Sequence, residues 1–262
     1  MCTLVLYFQV FPQYPLVIAA NRDESLARPS VPPLQLSSSP WIYGGQDLFA
    51  GGTWLGINEY GVVAAILNRR ALGSLNPRCR SRGLLCLDAL KHPTATSSFQ
   101  SITAQPAAQY NPFSLVIADQ SALYLVYHPH LEQVRHLTPG VYMITNLDLN
   151  DPECPRIARF APRFLQLSQH HSPSLPSLPD LFAQLHILLA EHEEKSEGVQ
   201  DPRTGLCLHL DGYGTCSSTL LAYSKSEARY IYYFAPGPPC RTAYQEVSVP
   251  PGAFASQPPS VQ

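Results

Sequence analysis

The cysteine at position 2 has the most distinctive potential chemistry in this chain of 262 residues. If the initiator Met1 is removed, Cys2 carries both a thiol and a free α-amine. The amine has a pKa of about 7.7–8.0, so much of it is unprotonated near neutral pH and can accept the thiol proton. Such a residue is a nucleophile with its own base, the cysteine counterpart of an N-terminal threonine. The alternative is that Cys2 is only a small apolar residue in an edge strand.

A polar and charged run, Asn-Arg-Asp-Glu at 21–24, lies close to Cys2 in the predicted structure. Two apolar segments joined by a Pro-containing turn predict a hairpin over about residues 2–10 and 15–21. Because hairpin strands are antiparallel, the end of the second strand lies beside the start of the first. There, the Arg22 guanidinium would lower the thiol pKa, and the Asp23 carboxylate would hold the α-amine. The alternative is a charged loop that only caps turns.

The rest of the chain predicts strands, a helix, strands, two helices and strands, in that order. Strands are predicted at about 53–58, 61–67, 113–118, 123–128, 140–145, 217–223, 229–235 and 243–248, and helices at about 82–91, 155–169 and 179–194. Residues 22–40 resemble a polar, proline-rich loop. Two antiparallel sheets with helices packed outside them would bury all the apolar faces. We expect one domain over residues 1–249 and a disordered tail over residues 250–262.

Bulk composition excludes several classes of protein. A net charge of −2 gives no electrostatic argument for nucleic acid or an anionic membrane. Seven cysteines without a CxxC pair argue against a disulfide framework and against a zinc site of the usual spacing, and they favour a reducing, cytoplasmic compartment. The first twenty residues lack the positive region of a signal peptide, and no segment is long and apolar enough to span a bilayer.

Histidine pairs are the other pattern that suggests metal chemistry. They are His128-x-His130 and His170-His171. Neither pair has a third ligand at a diagnostic spacing, so we interpret these histidines as surface or loop residues and expect no metal and no cofactor.

Six short motifs occur in an order that resembles the NRDE family of transport and Golgi organisation proteins. They are Cys2-Thr3, Ala19-Ala20-Asn21-Arg22-Asp23-Glu24, Arg28-Pro29, Gly51-Gly52-Thr53-Trp54-Leu55-Gly56, Asn111-Pro112-Phe113 and Gly212-Tyr213-Gly214-Thr215. The resemblance covers nearly the whole chain. It carries an association with haem movement and with membrane and lipid homeostasis.

A more distant resemblance adds a mechanism. The segment from Gly56 to Asn68 is similar to a stretch of the choloylglycine hydrolases and penicillin V acylases, N-terminal-nucleophile enzymes that begin with Met-Cys. This resemblance implies an α+β fold of four layers, an αββα sandwich of two antiparallel sheets. It also implies that Asn68, and Asn146 of the pair Thr145-Asn146, bind the oxyanion that forms in the reaction. The alternative is that both asparagines are turn residues.

Two positions depart from these families. The hydrolases carry Arg-Asn-x-Asp where this chain has Asn21-Arg22-Asp23, and related NRDE proteins carry Arg at the position of Cys216. Another arginine would have to supply that second positive charge. Arg229 and Arg241 are the candidates by proximity in the sequence.

The sequence therefore predicts an N-terminal cysteine hydrolase that acts on an amide bond other than a peptide bond. The expected catalytic residues are Cys2, Arg22, Asp23, Asn68 and Asn146, and the expected substrate-binding residues are Asn21, Trp54, Thr215 and Cys216. The alternative is a non-catalytic binding or trafficking protein on the same fold. The expected partner is a small-molecule amide or, for the alternative, haem or another apolar ligand.

Overall fold

The structure is a computed structural model that describes residues 2–70, 73–128, 135–169, 177–193, 201 and 204–252. The first half contains β1 (Thr3–Phe11), β2 (Tyr14–Ser25), β3 (Ser30–Ser38), β4 (Trp41–Asp47), β5 (Leu55–Asn58), β6 (Val63–Asn68), α1 (Arg82–Ala89), α2 (Ala95–Thr103), a short 3₁₀ helix (Ala107–Gln109), β7 (Phe113–Ala118) and β8 (Leu123–His128). The second half contains β9 (Arg135–His136), β10 (Gly140–Ile144), α3 (Pro155–Ser168), α4 (Leu178–Leu189), β11 (His209–Leu210), β12 (Tyr213–Ser224), β13 (Arg229–Ala235) and β14 (Gln245–Glu246).

These strands form two antiparallel sheets. The first sheet has the order β10-β1-β2-β12-β13-β14, and β11 pairs with β12. The second sheet follows the chain order from β3 to β9. The two halves of the first sheet are far apart in sequence, and β2 joins them by pairing with β1 on one side and β12 on the other.

Three apolar clusters separate four layers of structure. On β1, Leu4 and Leu6 face the second sheet, whereas Val5 and Tyr7 face α3 and α4, because successive side chains of a strand point to opposite faces. A third cluster packs α1 and α2 against the outer face of the second sheet, around Leu115. The predicted α+β, four-layer αββα sandwich is thus confirmed.

Several predicted boundaries are wrong. The expected loop at 22–40 instead contains the end of β2 and all of β3, because β12 extends far enough to pair with β2 as far as Ser25. Strand β3 tolerates its prolines because it lies at a sheet edge, where unpaired positions need no N–H donor. Helix α2 was not expected from its short polar residues; Thr94 caps it by accepting a hydrogen bond from the Ser97 N–H.

The remaining differences between the predicted and observed elements lie in the second half of the chain. The strand expected at 243–248 is only two residues long in β14. Much of the linker between α3 and α4 and most of the expected tail lie outside the described residues. Within the described ranges, the helices are all too short or too polar to cross a membrane.

Asn58 joins the second sheet to the helices that cover it. Its buried side chain donates hydrogen bonds to the carbonyl oxygens of Leu90 and His92, at 2.7 and 2.8 Å. Its Oδ1 accepts from the backbone N–H groups of Tyr60 and Val62, at 3.1 and 2.9 Å. One side chain therefore fixes the β5–β6 turn and the end of α1 together.

We expect Asn58→Ala to lower the free energy of unfolding by about 3 kcal/mol, because each buried group left without a partner costs about 1–3 kcal/mol. Urea denaturation measures this change. The control is Asn76→Ala in an exposed loop, where we expect a change within about 0.5 kcal/mol. Equal losses in the two variants would contradict this role of Asn58.

Candidate active site

Cys2 lies at the end of the first sheet, immediately before β1. Because Thr3 pairs with Asn21, the antiparallel register places Cys2 beside Arg22. The half-buried Cys2 thiol donates to the Asp23 carbonyl oxygen at 3.6 Å and packs against the core between the two sheets. The structure therefore brings Cys2 together with the polar run that follows the second strand.

Arg22 links the two sheets on the face that Cys2 occupies. Its guanidinium lies over the ring of Trp54, 4.5 Å from the ring centroid, and Nη1 donates to Ser30 Oγ at 3.4 Å. Gly45 makes room for this stack, because a Cβ there would lie 2.3 Å from the Trp54 ring. A cation–π contact of this kind is worth about 0.5–2 kcal/mol and fixes the guanidinium near the thiol.

Asp23 points to the opposite face of β2, towards α3. Its Oδ2 lies 3.3 Å from Arg156 Nη1, and its Oδ1 accepts from Thr215 Oγ1 at 2.7 Å. Arg156 also donates to Thr3 Oγ1 at 2.9 Å, so it ties β1 and β2 together. Burial raises the pKa of Asp23, and the charge of Arg156 and the Thr215 hydrogen bond oppose that rise. The pair is almost fully buried, with the Arg156 side chain 1% exposed.

Arg156 is a buried cation near Cys2 that the sequence did not reveal. The two arginines proposed for this role are wrong. Arg229 begins β13 at an exposed position and pairs with Glu227, and Arg241 is exposed after the same strand. Neither lines a cavity beside Cys2. The sequence feature that could have pointed to Arg156 is its place in the apolar stripe of α3, next to Ile157.

Two residues expected to bind substrate form bonds within the protein instead. Asn21 Nδ2 donates to the carbonyl oxygens of Leu189 and Leu206, at 2.9 and 2.8 Å, and its Oδ1 accepts from Ser218 Oγ at 2.6 Å. Thr215 is bonded to Asp23 and to a backbone N–H. Both side chains are buried and hold neighbouring segments together, so their contact with a substrate stays a prediction.

Cys216 lies in a β-bulge between Thr215 and Ser217. Its thiol donates to the carbonyl oxygens of Glu24 and Gly214, both at 3.5 Å. Cys216 does not line the described cavities that touch Cys2, whereas Trp54 lines the largest of them. The expected contact between Cys216 and a substrate therefore gains no support from these cavities and stays a prediction.

The two asparagines implicated in oxyanion binding share a cavity with Cys2. Asn68 ends β6 and is exposed, and Asn146 follows β10. Together with Cys2 they line a cavity of about 350 Å³ that Tyr213 and Leu208 help to close. The buried Oδ1 of Asn146 has no hydrogen-bond partner among the described residues. This oxygen is thus an acceptor available to an N–H group of a ligand.

A larger cavity, of about 460 Å³, is also lined by Cys2. It shares Cys2 and Asn68 with the first cavity. Its charged lining consists of the arginines Arg22, Arg28, Arg80 and Arg82 and the acids Glu24 and Asp47. Arg28 is paired with Asp47 and Arg80 with Asp88, so Arg22 and Arg82 against Glu24 leave a small positive excess that suits an anionic group.

The charge state of Cys2 follows mainly from its burial. Burial raises the pKa of the Cys2 thiol, and the positive amino terminus and Arg22 only partly offset this effect. Asp23 raises the pKa further. The resting thiol is therefore protonated, and its use as a nucleophile requires a base that takes the proton during attack.

The expectation that His128 is a surface or loop residue is wrong, because His128 ends β8. His128 is buried and stacks on Phe113, with 5.5 Å between ring centroids. Its expected partner His130, and the pair His170-His171, lie outside the described residues.

Solved structures of other proteins share this four-layer αββα fold. The chain is similar to the penicillin V acylase of Agrobacterium tumefaciens, with a TM-score of 0.53 and 13% identity over 90% of this chain and 83% of that one. It is also similar to the Caenorhabditis elegans N-acylethanolamine-hydrolyzing acid amidase ortholog, with a TM-score of 0.51 and 11% identity over 84% and 92%. At these identities the likeness shows the fold alone.

The sequence comparison identifies the family. The family model for Transport and Golgi organisation 2 matches residues 1–233, and the chain belongs to this family. The human Transport and Golgi organization protein 2 homolog is 27% identical over 245 residues, which cover 84% of this chain and 88% of the human protein. The predicted family membership is thus confirmed.

We expect Arg156→Met to lower the free energy of unfolding by about 3–5 kcal/mol near pH 7, because it leaves Asp23 as an unpaired buried charge. The loss should shrink in acid. Without Arg156 the pKa of Asp23 in the folded state rises further above its unfolded value of about 3.9. Between these two pKa values the folded variant binds more protons than the unfolded variant. Stability of the variant relative to wild type therefore increases as pH falls through this window.

Urea denaturation at several pH values tests this expectation. Arg229→Met is the control, because Arg229 forms an exposed pair with Glu227 that is worth at most about 1 kcal/mol. A similar, pH-independent loss in both variants would contradict the role of Arg156 as the partner of Asp23.

Proposed function

We propose that this protein is an N-terminal cysteine hydrolase that cleaves a non-peptide amide bond with Cys2 as its nucleophile. The observation that supports this most strongly is that two cavities, of about 350 and 460 Å³, are both lined by Cys2 and Asn68. A substrate bound across both cavities places its carbonyl carbon at the thiol. Its acyl and amine portions then occupy separate cavities, as cleavage between them requires.

The mechanism uses the free α-amine of Cys2 after Met1 is removed. The amine takes the thiol proton while Sγ bonds to the carbonyl carbon, and the carbonyl oxygen becomes an oxyanion that accepts hydrogen bonds from the side-chain amides of Asn68 and Asn146. The C–N bond then breaks, and the leaving amine takes the proton from the α-ammonium. Water, deprotonated by the same amine, attacks the thioester, breaks the C–S bond and releases the carboxylic acid.

The raised pKa of Cys2 agrees with this use of the amine. A thiol that stays protonated at rest needs a base within hydrogen-bond reach, and the α-amine of Cys2 would supply one. Arg22, held by Trp54, would stabilise the thiolate as it forms and as it leaves. Asp23 and Arg156 act as positioning residues, since they fix β1 and β2 on the other face of the sheet.

The charged lining of the larger cavity defines the proposed substrate class. Arg28 and Arg80 are paired with Asp47 and Asp88, and the other two arginines of the lining, Arg22 and Arg82, favour an amide whose acyl or amine portion carries an anionic group. The names of the two structural neighbours, an acylase and an amide-hydrolyzing amidase, support amide chemistry on this fold. The described thiols are all free, which supports action in a reducing compartment such as the cytoplasm.

The same cavity also favours a second function, non-catalytic binding of an anionic apolar ligand. Its volume lies within the range of about 300–1,000 Å³ typical of small-molecule pockets. Haem is one such ligand, since its carboxylates would pair with the arginines. Absorbance titration with haem tests this function: saturable binding that weakens in Arg82→Gln supports it, and the absence of saturation contradicts it.

We expect the protein that begins at Cys2 to react with an activated glutaryl ester at Cys2. A variant with Gly-Ser inserted before Cys2 keeps the thiol but loses its free amine, and we expect labelling to slow by about 10²–10⁴-fold. Intact mass and peptide mapping measure the rate at each cysteine, with Cys79 as the internal control. Retention of Met1, or equal labelling of Cys2 in both proteins, would contradict the mechanism.

We expect Asn68→Ala to lower kcat for a glutaryl anilide by about 10²–10³-fold, the usual effect of losing one oxyanion donor. The matched variant is Asn68→Asp, which keeps the shape but replaces the donor by an acceptor, and we expect an equal or larger loss. Because Asn68 is exposed, both variants should retain stability within about 0.5 kcal/mol. Full activity in Asn68→Asp would exclude oxyanion binding by this residue.

A further inference from the structure

Four potential metal ligands converge outside the site of Cys2. They are His192, Cys207, His209 and Cys240, and one ligand atom from each lies within 4.8 Å of the others. The two Sγ atoms are 3.5 Å apart, and His209 Nε2 lies 3.8 Å from Cys207 Sγ and 3.2 Å from Cys240 Sγ. Two thiols and two imidazoles form one of the common donor sets for structural zinc.

The three distances among Cys207, His209 and Cys240, from 3.2 to 3.8 Å, are close to those of tetrahedral coordination, and the set of four ligand atoms spans up to 4.8 Å. Bonds of about 2.3 Å to sulfur and 2.0–2.1 Å to nitrogen place tetrahedral ligand atoms about 3.3–3.8 Å apart. His192 Nδ1 lies 2.9 Å from the Cys207 carbonyl oxygen, which orients the ring and leaves Nε2 for the metal. A backbone carbonyl that binds the second nitrogen is typical of metal-binding histidines.

We infer that His192, Cys207, His209 and Cys240 form a tetrahedral zinc site that stabilises the fold. The main competing arrangement is a disulfide between the two cysteines. Their Sγ atoms are well beyond the disulfide length of about 2.05 Å, and a disulfide would not account for the two histidines beside them.

The position of the site gives the metal a structural role. His192 follows α4, Cys240 follows β13, and Cys207 and His209 flank Leu208, so one ion would join three separate segments. The Leu208 N–H donates to Thr215 Oγ1, which in turn binds Asp23. Leu208 also lines the cavity of about 350 Å³ beside Cys2. Zinc would therefore hold Leu208, and with it one wall of that cavity, in place without contacting substrate.

The sequence could not reveal this cluster by spacing. Cys207 and His209 are separated by one residue, and the other two ligands lie far away on either side. No common zinc motif has this arrangement. The ligands meet because β12 and β13 pair and α4 packs on the same sheet, which is information about tertiary structure.

Zinc content provides the first test. The full chain, purified under reducing conditions, incubated with Zn²⁺ and desalted, should retain about one zinc per chain by mass spectrometry of the metal. Co²⁺ in place of zinc should give the visible bands of tetrahedral coordination and thiolate-to-cobalt charge transfer. His209→Asn, a change at an exposed position, and Cys240→Ser should each lower zinc affinity by at least about 100-fold. Cys79→Ser, outside the cluster, should leave zinc binding unchanged.

Chelation provides a second test that does not depend on how the variants fold. Removal of zinc should lower the Tm of the wild-type chain and leave the Tm of His209→Asn unchanged. Three results would overturn the proposal: no zinc retained by the fully reduced chain, an octahedral Co²⁺ spectrum, or a native mass lower by two hydrogen atoms with Cys207 and Cys240 linked. These measurements use no hydrolytic assay, so their failure would be distinct from the failure of the proposed hydrolase function.

Discussion

The buried ion pair between Asp23 and Arg156 is the interaction on which the surroundings of Cys2 depend. Two charges in the apolar layer between the first sheet and α3 are costly unless each has its partners, and Thr3 and Thr215 supply additional hydrogen bonds. These contacts connect β1, β2, β12 and α3 at one point. Cys2 directly precedes Thr3, so the position of its thiol is set by this network.

Because successive side chains of β2 point to opposite faces of the sheet, its residues have two different roles. Asn21 and Asp23 face the helices and hold the sheet together, whereas Arg22 faces the space between the sheets, beside Cys2 and against Trp54. One strand thus supplies both the support and the local positive charge of the site. Burial nevertheless raises the pKa of the Cys2 thiol, so the proposed attack needs a base that takes the thiol proton. The α-amine of Cys2 would be that base.

Local patterns in the sequence were sufficient for the sandwich and for the neighbours of Cys2. Two short, largely apolar runs predicted β7 and β8 at their observed bounds, and the hairpin placed Arg22 beside Cys2. The sequence could not predict β3, since its prolines are tolerated only because it lies at a sheet edge. It also could not predict Arg156 or the cluster around Cys207, because both depend on contacts between segments distant in sequence.

A crystal structure of the protein after reaction with an aldehyde analogue of an anionic acyl group would test the central claim most directly. The account predicts a chain that begins at Cys2, with Sγ bonded to the former aldehyde carbon as a hemithioacetal. The hemithioacetal oxygen would lie within about 3.1 Å of the side-chain nitrogens of Asn68 and Asn146. A chain that still carries Met1, or an adduct whose oxygen contacts neither asparagine, would contradict the account.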